Sequence, residues 1–208
     1  MATKGADRWT LRDLVYLGVF GGIWVLMEST FGSFLHSTRV PEKGSILAGV
    51  AAIIMIVARH FVPKRGSTMV IGLATAMLKV LSTGGTVFGG PSIGIFAEAT
   101  MAEIGFATGP LNRTRAILAG ALAGGWLAFH KFLTRGIIAG RGFLTVYRDA
   151  VEQTAELYGL NLDYAIAVFI GYALLKFVIG GVFGWIGWSV LQSVQAQMGQ
   201  RQVAAKEA

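Results

Sequence analysis

"GPSIGIFAEATMAEIGF", residues 90–106, decides how this chain is read. Small and apolar residues dominate it, as in a membrane-buried helix. Yet Glu98 and Glu103 interrupt it, and the Gly-rich run "STGGTVFGG", 82–90, leads into it. A charge at the centre of a membrane helix costs about 2.5–3.5 kcal/mol, so such residues face a bundle interior or a wet cavity and usually have a function. The function expected here is that at least one of the two acids helps to hold a solute.

The rest of the chain supports a membrane setting. Of its 208 residues, 54% are hydrophobic and 14% charged, against about 25% charged in an ordinary soluble domain. So short a soluble chain could not hide apolar faces of this extent. Six spans are predicted, at 14–35, 46–62, 69–82, 92–109, 115–133 and 164–194. The second and third are shorter than the roughly 20 residues a crossing needs, so they must tilt or be shielded by neighbours. The fold class is therefore all-α, a single polytopic membrane domain of six transmembrane helices. The start, "MATKGADRWTLRD", is polar and mixed in charge, so no cleavable signal peptide is expected.

Lys and Arg set the orientation. Lys4, Arg8, Arg12, Arg59, Lys64, Arg65, Arg113, Arg115, Arg201 and Lys206 fall on one side; Arg39, Lys43, Lys131, Arg135, Arg141 and Arg148 fall on the other, ten against six. The richer side is predicted to be cytoplasmic, with both termini inside. Residues 1–13 are then a cytoplasmic segment, 134–163 a long extracellular loop and 195–208 a cytoplasmic tail. The stretch "FLTVYRDAVEQTAELYGL", 143–160, is amphipathic and reads either as a short surface helix or as an ordered loop. The net charge of +7 arises mostly in these short gaps, which argues against a nucleic-acid groove.

Depth along each span then groups the charges. Glu28 lies in the outer half of span one, Lys79 near the outer end of span three, and Glu98 one to two turns below the outer surface. Trp126 and His130 approach the outer end of span five. We expect Glu28, Lys79, Glu98 and His130 to meet in a solute pocket beneath the outer face. The competing readings are a structural salt bridge from Lys79 to Glu28 or Glu98, and an interfacial role for His130. Trp24, one turn from Glu28 on the same face, is placed to stack a flat ring or cation. Phe88 is expected to stack the ring with Trp24, and the Gly-rich loop around it reads as a lid over the pocket or as a tight helix–helix turn. Glu103 is turned about 140° from Glu98 and does not share its face. It is expected to partner another helix, with Lys176 as the suggested ion-pair mate. Trp185 and Trp188 read as interfacial anchors.

Small-xxx-small spacing occurs at Gly18 and Gly22, Gly120 and Gly124, and Gly180 and Gly184. Such pairs let helix backbones approach closely in lipid. Most are expected to pack helices within the chain; the first pair is the candidate for docking a partner subunit. No metalloprotease, serine-hydrolase or nucleotide-binding motif appears, and there is no cysteine, so neither an enzyme nor a metal site is expected.

The small-residue first span "LGVFGGIWVLMES" and the stretch "LATAMLKVLSTGGTVFGGPSIGIFAEATMAEIGF" resemble a known family. It is the substrate-binding S-component of energy-coupling factor (ECF) vitamin transporters, nearest the thiamin or hydroxymethylpyrimidine branch. The resemblance covers nearly the whole chain. Glu98 is similar to a polar residue deep in the family's fourth helix, and Glu103 to a following acid; Lys79 stands where the family has an acid. The resemblance implies a subunit of a bacterial or archaeal cytoplasmic membrane that captures a thiamin- or pyrimidine-like solute from outside. It implies partners too: a transmembrane coupling subunit, docked through positions such as Gly18 and Gly22, and two cytoplasmic ATPases that hydrolyse ATP, leaving no cofactor for this chain. The alternatives are a stand-alone proton-coupled permease using Glu98 or Glu103, and a structural membrane subunit that transports nothing.

Overall fold

The computed structural model describes residues 8–38, 40, 42–82, 90–138, 140–159, 161 and 164–207. Every extended element among them is helical: α1 (Leu11–Ser37), α2 (Lys43–Phe61), α3 (Ser67–Ser82), α4 (Gly90–Ala107), α5 (Arg113–Lys131), a π-helical stretch (Phe132–Ile138), α6 (Phe143–Tyr158) and α7 (Ala165–Glu207). Four of them, α1, α2, α5 running into the π-helical stretch, and α7, are long and apolar enough to cross a membrane. At 16 residues α3 is apolar but shorter, and α4, broken by its two acids, is not among the four. The amphipathic segment is helix α6, not loop, and it buries Val146, Ala150, Val151, Thr154 and Ala155. Residues 195–207, read as a tail, continue α7 as helix. They contain no proline and only Gly199 to weaken a run of Gln, Ala and Val, so the backbone ladder is not broken. At 43 residues, α7 is about 65 Å long.

Side chains fix where the helices begin. Thr10 accepts a bond from the Asp13 amide at 3.2 Å, and Asp13 accepts one from the Thr10 amide at 2.8 Å, so donors at the head of α1 are satisfied reciprocally. Lys64, in the α2–α3 turn, then holds Asp13 at 2.6 Å. Asn112 caps α5 by accepting from the Arg115 amide at 2.9 Å, while Arg115 donates to the Thr108 carbonyl at 2.9 Å and closes the α4–α5 turn. Three cations of the Lys/Arg-rich end, Arg59, Lys64 and Arg115, are thus structural ties as well as topology signals.

Neighbours run α1–α3–α4–α5–α7, and α2 touches all five. The core is accordingly the α2 face of Ala51, Ala52, Met55, Ile56 and Ala58 packed with Trp24, Ile71, Ala99 and Phe106. Glycine sets the closest contact. A Cβ on Gly124 would stand 2.8 Å from Gly180 Cα, and one on Gly120 2.9 Å from Gly184 Cα, so α5 and α7 cross backbone against backbone. These two pairs do pack helices within the chain, as their spacing predicts. Gly124→Val should destabilise the fold by at least about 1–3 kcal/mol, because backbone cannot swing aside. Thermal unfolding in detergent, compared with the sterically open Gly171→Val, measures it; equal midpoints would refute the crossing.

Candidate functional site

One end of the bundle carries the C-termini of α1, α3 and α5 and the N-termini of α2, α4 and α7, with α6 beside them. There Glu28 of α1 and Lys79 of α3 form an ion pair at 3.6 Å, their side chains 20% and 17% exposed. Parallel packing of α1 on α3 produces it, since Gly21 lies against Ala74 and Thr75 one to two turns deeper. Glu98 of α4 is buried and near enough to Glu28 for the two charges to act on one another. Three helices therefore deliver Glu28, Lys79 and Glu98 to one end of the bundle, two acids to one cation. A carboxyl buried in apolar surroundings can accept from a ring N–H or a cation, which offsets the cost of burying it.

His130 reaches the same region from α5. A Cβ on Gly94 would stand 2.9 Å from His130 Nε2, so the imidazole lies close over the turn preceding Glu98 and any side chain there would displace it. Trp24 is fully buried in the core, one turn from Glu28. Its ring is enclosed by protein, which does not suit it to stacking a ligand face; among the described residues its indole N–H has no hydrogen-bond partner, and neither has that of Trp126. Phe88 and the candidate lid, 83–89, lie outside the described residues. Gly18 and Gly22 lie apart from the charges, on the outward face of α1, with nothing among the described residues within 4 Å of a would-be Cβ.

Glu103 is not part of this group. It sits near the opposite end, where Arg59 Nη1 donates to both of its oxygens at 3.0 and 3.2 Å. The amides of Gly66 and Thr68 donate to it at 2.8 and 3.2 Å, and so does the Thr68 hydroxyl. It is the cap of α3 supplied by another helix. The suggested pairing with Lys176 is thereby corrected. Lys176 instead pairs with Glu42 at the α6 end and donates to Ser45 Oγ at 2.8 Å. Depth was the available signal: Lys176 lies near the start of α7 and Glu103 near the finish of α4, which are opposite ends.

Sequence reasoning missed this Glu42 cluster. Ser45 Oγ donates to Glu42 at 2.6 Å and Tyr158 Oη at 3.0 Å, while Lys176 Nζ lies 4.8 Å from the Tyr172 ring centre. Glu42 adopts φ 59°, a left-handed conformation rare outside glycine, and its contacts hold it there. A cleft of about 490 Å³ opens beside it, lined by Tyr158, Asn161, Tyr164 and Tyr172. Burial raises the Glu42 carboxyl, but the bonds from Lys176 and Ser45 outweigh it and leave it below its usual range. A group lowered on folding adds stability above its unfolded value and loses it as pH falls through the folded one. Stability should therefore fall more between about pH 5 and pH 3 in wild type than in Glu42→Gln; superimposable melting curves across that window would contradict this. Burial and the bond to Glu42 push the Tyr158 phenol up to about 12, so it stays a donor at any ordinary pH.

Among the described residues no three His, Asp or Glu side chains group as metal ligands. Comparison with protein-family models, curated proteins and solved structures finds no match.

Proposed function

We propose that the chain is the solute-capture subunit of an ECF-type importer in a bacterial or archaeal cytoplasmic membrane. In this reading α1 to α5 and α7 are six spans, both termini are cytoplasmic, and the α6 end faces outward. The solute is a small nitrogen heterocycle of the thiamin or pyrimidine kind. The observation that carries the reading is the delivery of Glu28, Lys79 and Glu98 from three helices to one end. Charges in apolar helices are costly, and a shared site that accepts a ring N–H or cation gives them a use. Lys79 orients Glu28 and leaves Glu98 for the solute.

The outward face of α1 supports the second half of the reading. The Gly120–Gly124 and Gly180–Gly184 pairs are filled by one another, whereas a Cβ on Gly18 or Gly22 would meet nothing within 4 Å among the described residues. Exposed Val15, Val19 and Leu26 flank them. A coupling subunit would pack on that stripe, and two ATPases would supply the energy. Gly18→Leu and Gly22→Leu should reduce ATP-dependent uptake at least about tenfold when the partners are present, and leave solute affinity unchanged. Undiminished pull-down of partner subunits by both variants would remove the docking face.

Calorimetry of the detergent-purified chain with thiamin and with hydroxymethylpyrimidine tests the reading as a whole. Saturable binding to the isolated chain is expected, with uptake into vesicles only after the coupling subunit and ATPases are added. Uptake by the chain alone that collapses with an uncoupler would replace this reading with a proton-coupled permease. Glu98 would then be the carrier, since Glu103 is held by Arg59, Thr68 and Gly66.

A further inference from the structure

The cleft of about 490 Å³ beside Glu42 is a cavity that the solute reading leaves unused. It lies in the crook between α6 and the start of α7, on other helices than those that carry Glu28, Lys79 and Glu98. Its volume is that of a small-ligand pocket. Three of the chain's five tyrosines line it, Tyr158, Tyr164 and Tyr172, with Val168 and Leu175 alongside.

An interfacial belt also collects tyrosines, but a belt hydroxyl needs only water. Tyr158 instead donates to Glu42 Oε1 at 3.0 Å. With its one proton committed there, the Tyr158 oxygen is left with acceptor capacity alone. The charges beside the cleft cancel among the described residues. Glu42 pairs with Lys176, and the Lys176 ammonium stands 4.8 Å from the Tyr172 ring centre. A cationic ligand would meet that ammonium at a ring already engaged by a cation, and an anionic one would meet Glu42. An uncharged ligand meets neither penalty. Glu42 is held at φ 59° by the same contacts, and strained backbone of this kind gathers at ligand clamps.

We propose that the cleft is a second small-molecule site, which takes an uncharged aromatic ring bearing one N–H or O–H donor. The ring packs among the three tyrosines, and its donor bonds to Tyr158 Oη. The site stands independently of the solute reading, because Glu28, Lys79 and Glu98 are not among its lining residues. Gly171 completes the wall, and a Cβ there would meet nothing within 4 Å among the described residues. Leucine at this position fills the cleft without displacing protein, and within a helix it is favoured over glycine.

Indole and 1-methylindole are the probes. Indole is uncharged and carries one N–H donor; 1-methylindole keeps the ring and loses the donor. Calorimetry on the full chain in one detergent reads both, with partitioning into micelles common to every arm. Wild type should bind indole saturably and 1-methylindole about five- to tenfold more weakly. Tyr158→Phe should bind the two alike. Gly171→Leu should bind indole at least about tenfold more weakly than wild type. In wild type labelled with ¹³C-tyrosine, indole should move the ring resonances of Tyr158, Tyr164 and Tyr172 and leave those of Tyr16 and Tyr147 in place. This readout decides the matter alone if a variant does not fold. Wild type that never saturates with indole, cleft tyrosines unmoved at saturation, Gly171→Leu of wild-type affinity, or a preference for indole that survives in Tyr158→Phe overturns the inference. So does indole binding that is abolished by Glu98→Gln, which would seat the probe at the Glu28 end of α4 instead. The solute reading is untouched by these results, since its own test uses thiamin and hydroxymethylpyrimidine.

Discussion

Glu103→Ala should destabilise the protein by about 3–5 kcal/mol, the range found when one member of a buried ion pair is removed. The Arg59 and Glu103 side chains are 8% and 10% exposed, so the guanidinium left behind has almost no water to turn to. Its other acceptors, Ser67 Oγ at 2.9 Å and the Lys64 carbonyl, carry no full negative charge. The same substitution uncaps α3, because the Gly66 and Thr68 amides lose their acceptor. Denaturant or SDS unfolding in mild detergent measures the change. Replacing Arg59 by Met in the Glu103→Ala background should recover part of the loss, since the stranded charge is then gone. A Glu103→Ala protein that unfolds with wild type, or a double variant less stable than both singles, would show that Glu103 does not perform this task.

Glu98→Gln should weaken solute binding by about 1.5–3 kcal/mol, the worth of a hydrogen bond to a charged group. That corresponds to roughly ten- to 150-fold in Kd. The amide nearly preserves volume, so the fold should survive: among the described residues Glu98 makes no hydrogen bond or ion pair, unlike Glu103. Lys79→Met should have a smaller effect on affinity, because its charge acts through Glu28. Calorimetry with thiamin and hydroxymethylpyrimidine reads both variants. An unchanged Kd for Glu98→Gln would take this residue out of the site.

Helix positions were legible because a membrane helix announces its apolar length, and most ends agree within a few residues of the predicted ones. The gathering of Glu28 and Lys79 was legible too, because depth within a span follows from residue count. Lateral order was not. Hydropathy says how deep Arg59 and Glu103 lie but not that α2 and α4 stand side by side, and α2 touches α1, α3, α4, α5 and α7. Arg59, one of the ten Lys and Arg of the richer side, is buried on the last turn of α2 and held by Glu103, which a count of cations does not reveal. The strained Glu42 was hidden for a related reason: its value arises only when Ser45, Tyr158 and Lys176 converge from three helices.

Native mass spectrometry of the detergent-purified protein, wild type beside Glu28→Gln/Glu98→Gln, tests the central claim most directly. The account predicts that wild type retains, or takes up from added thiamin or hydroxymethylpyrimidine, one small heterocycle per chain, and that the folded double variant retains none. Equal occupancy in the two proteins, or an empty wild type at saturating concentrations of both compounds, would contradict it.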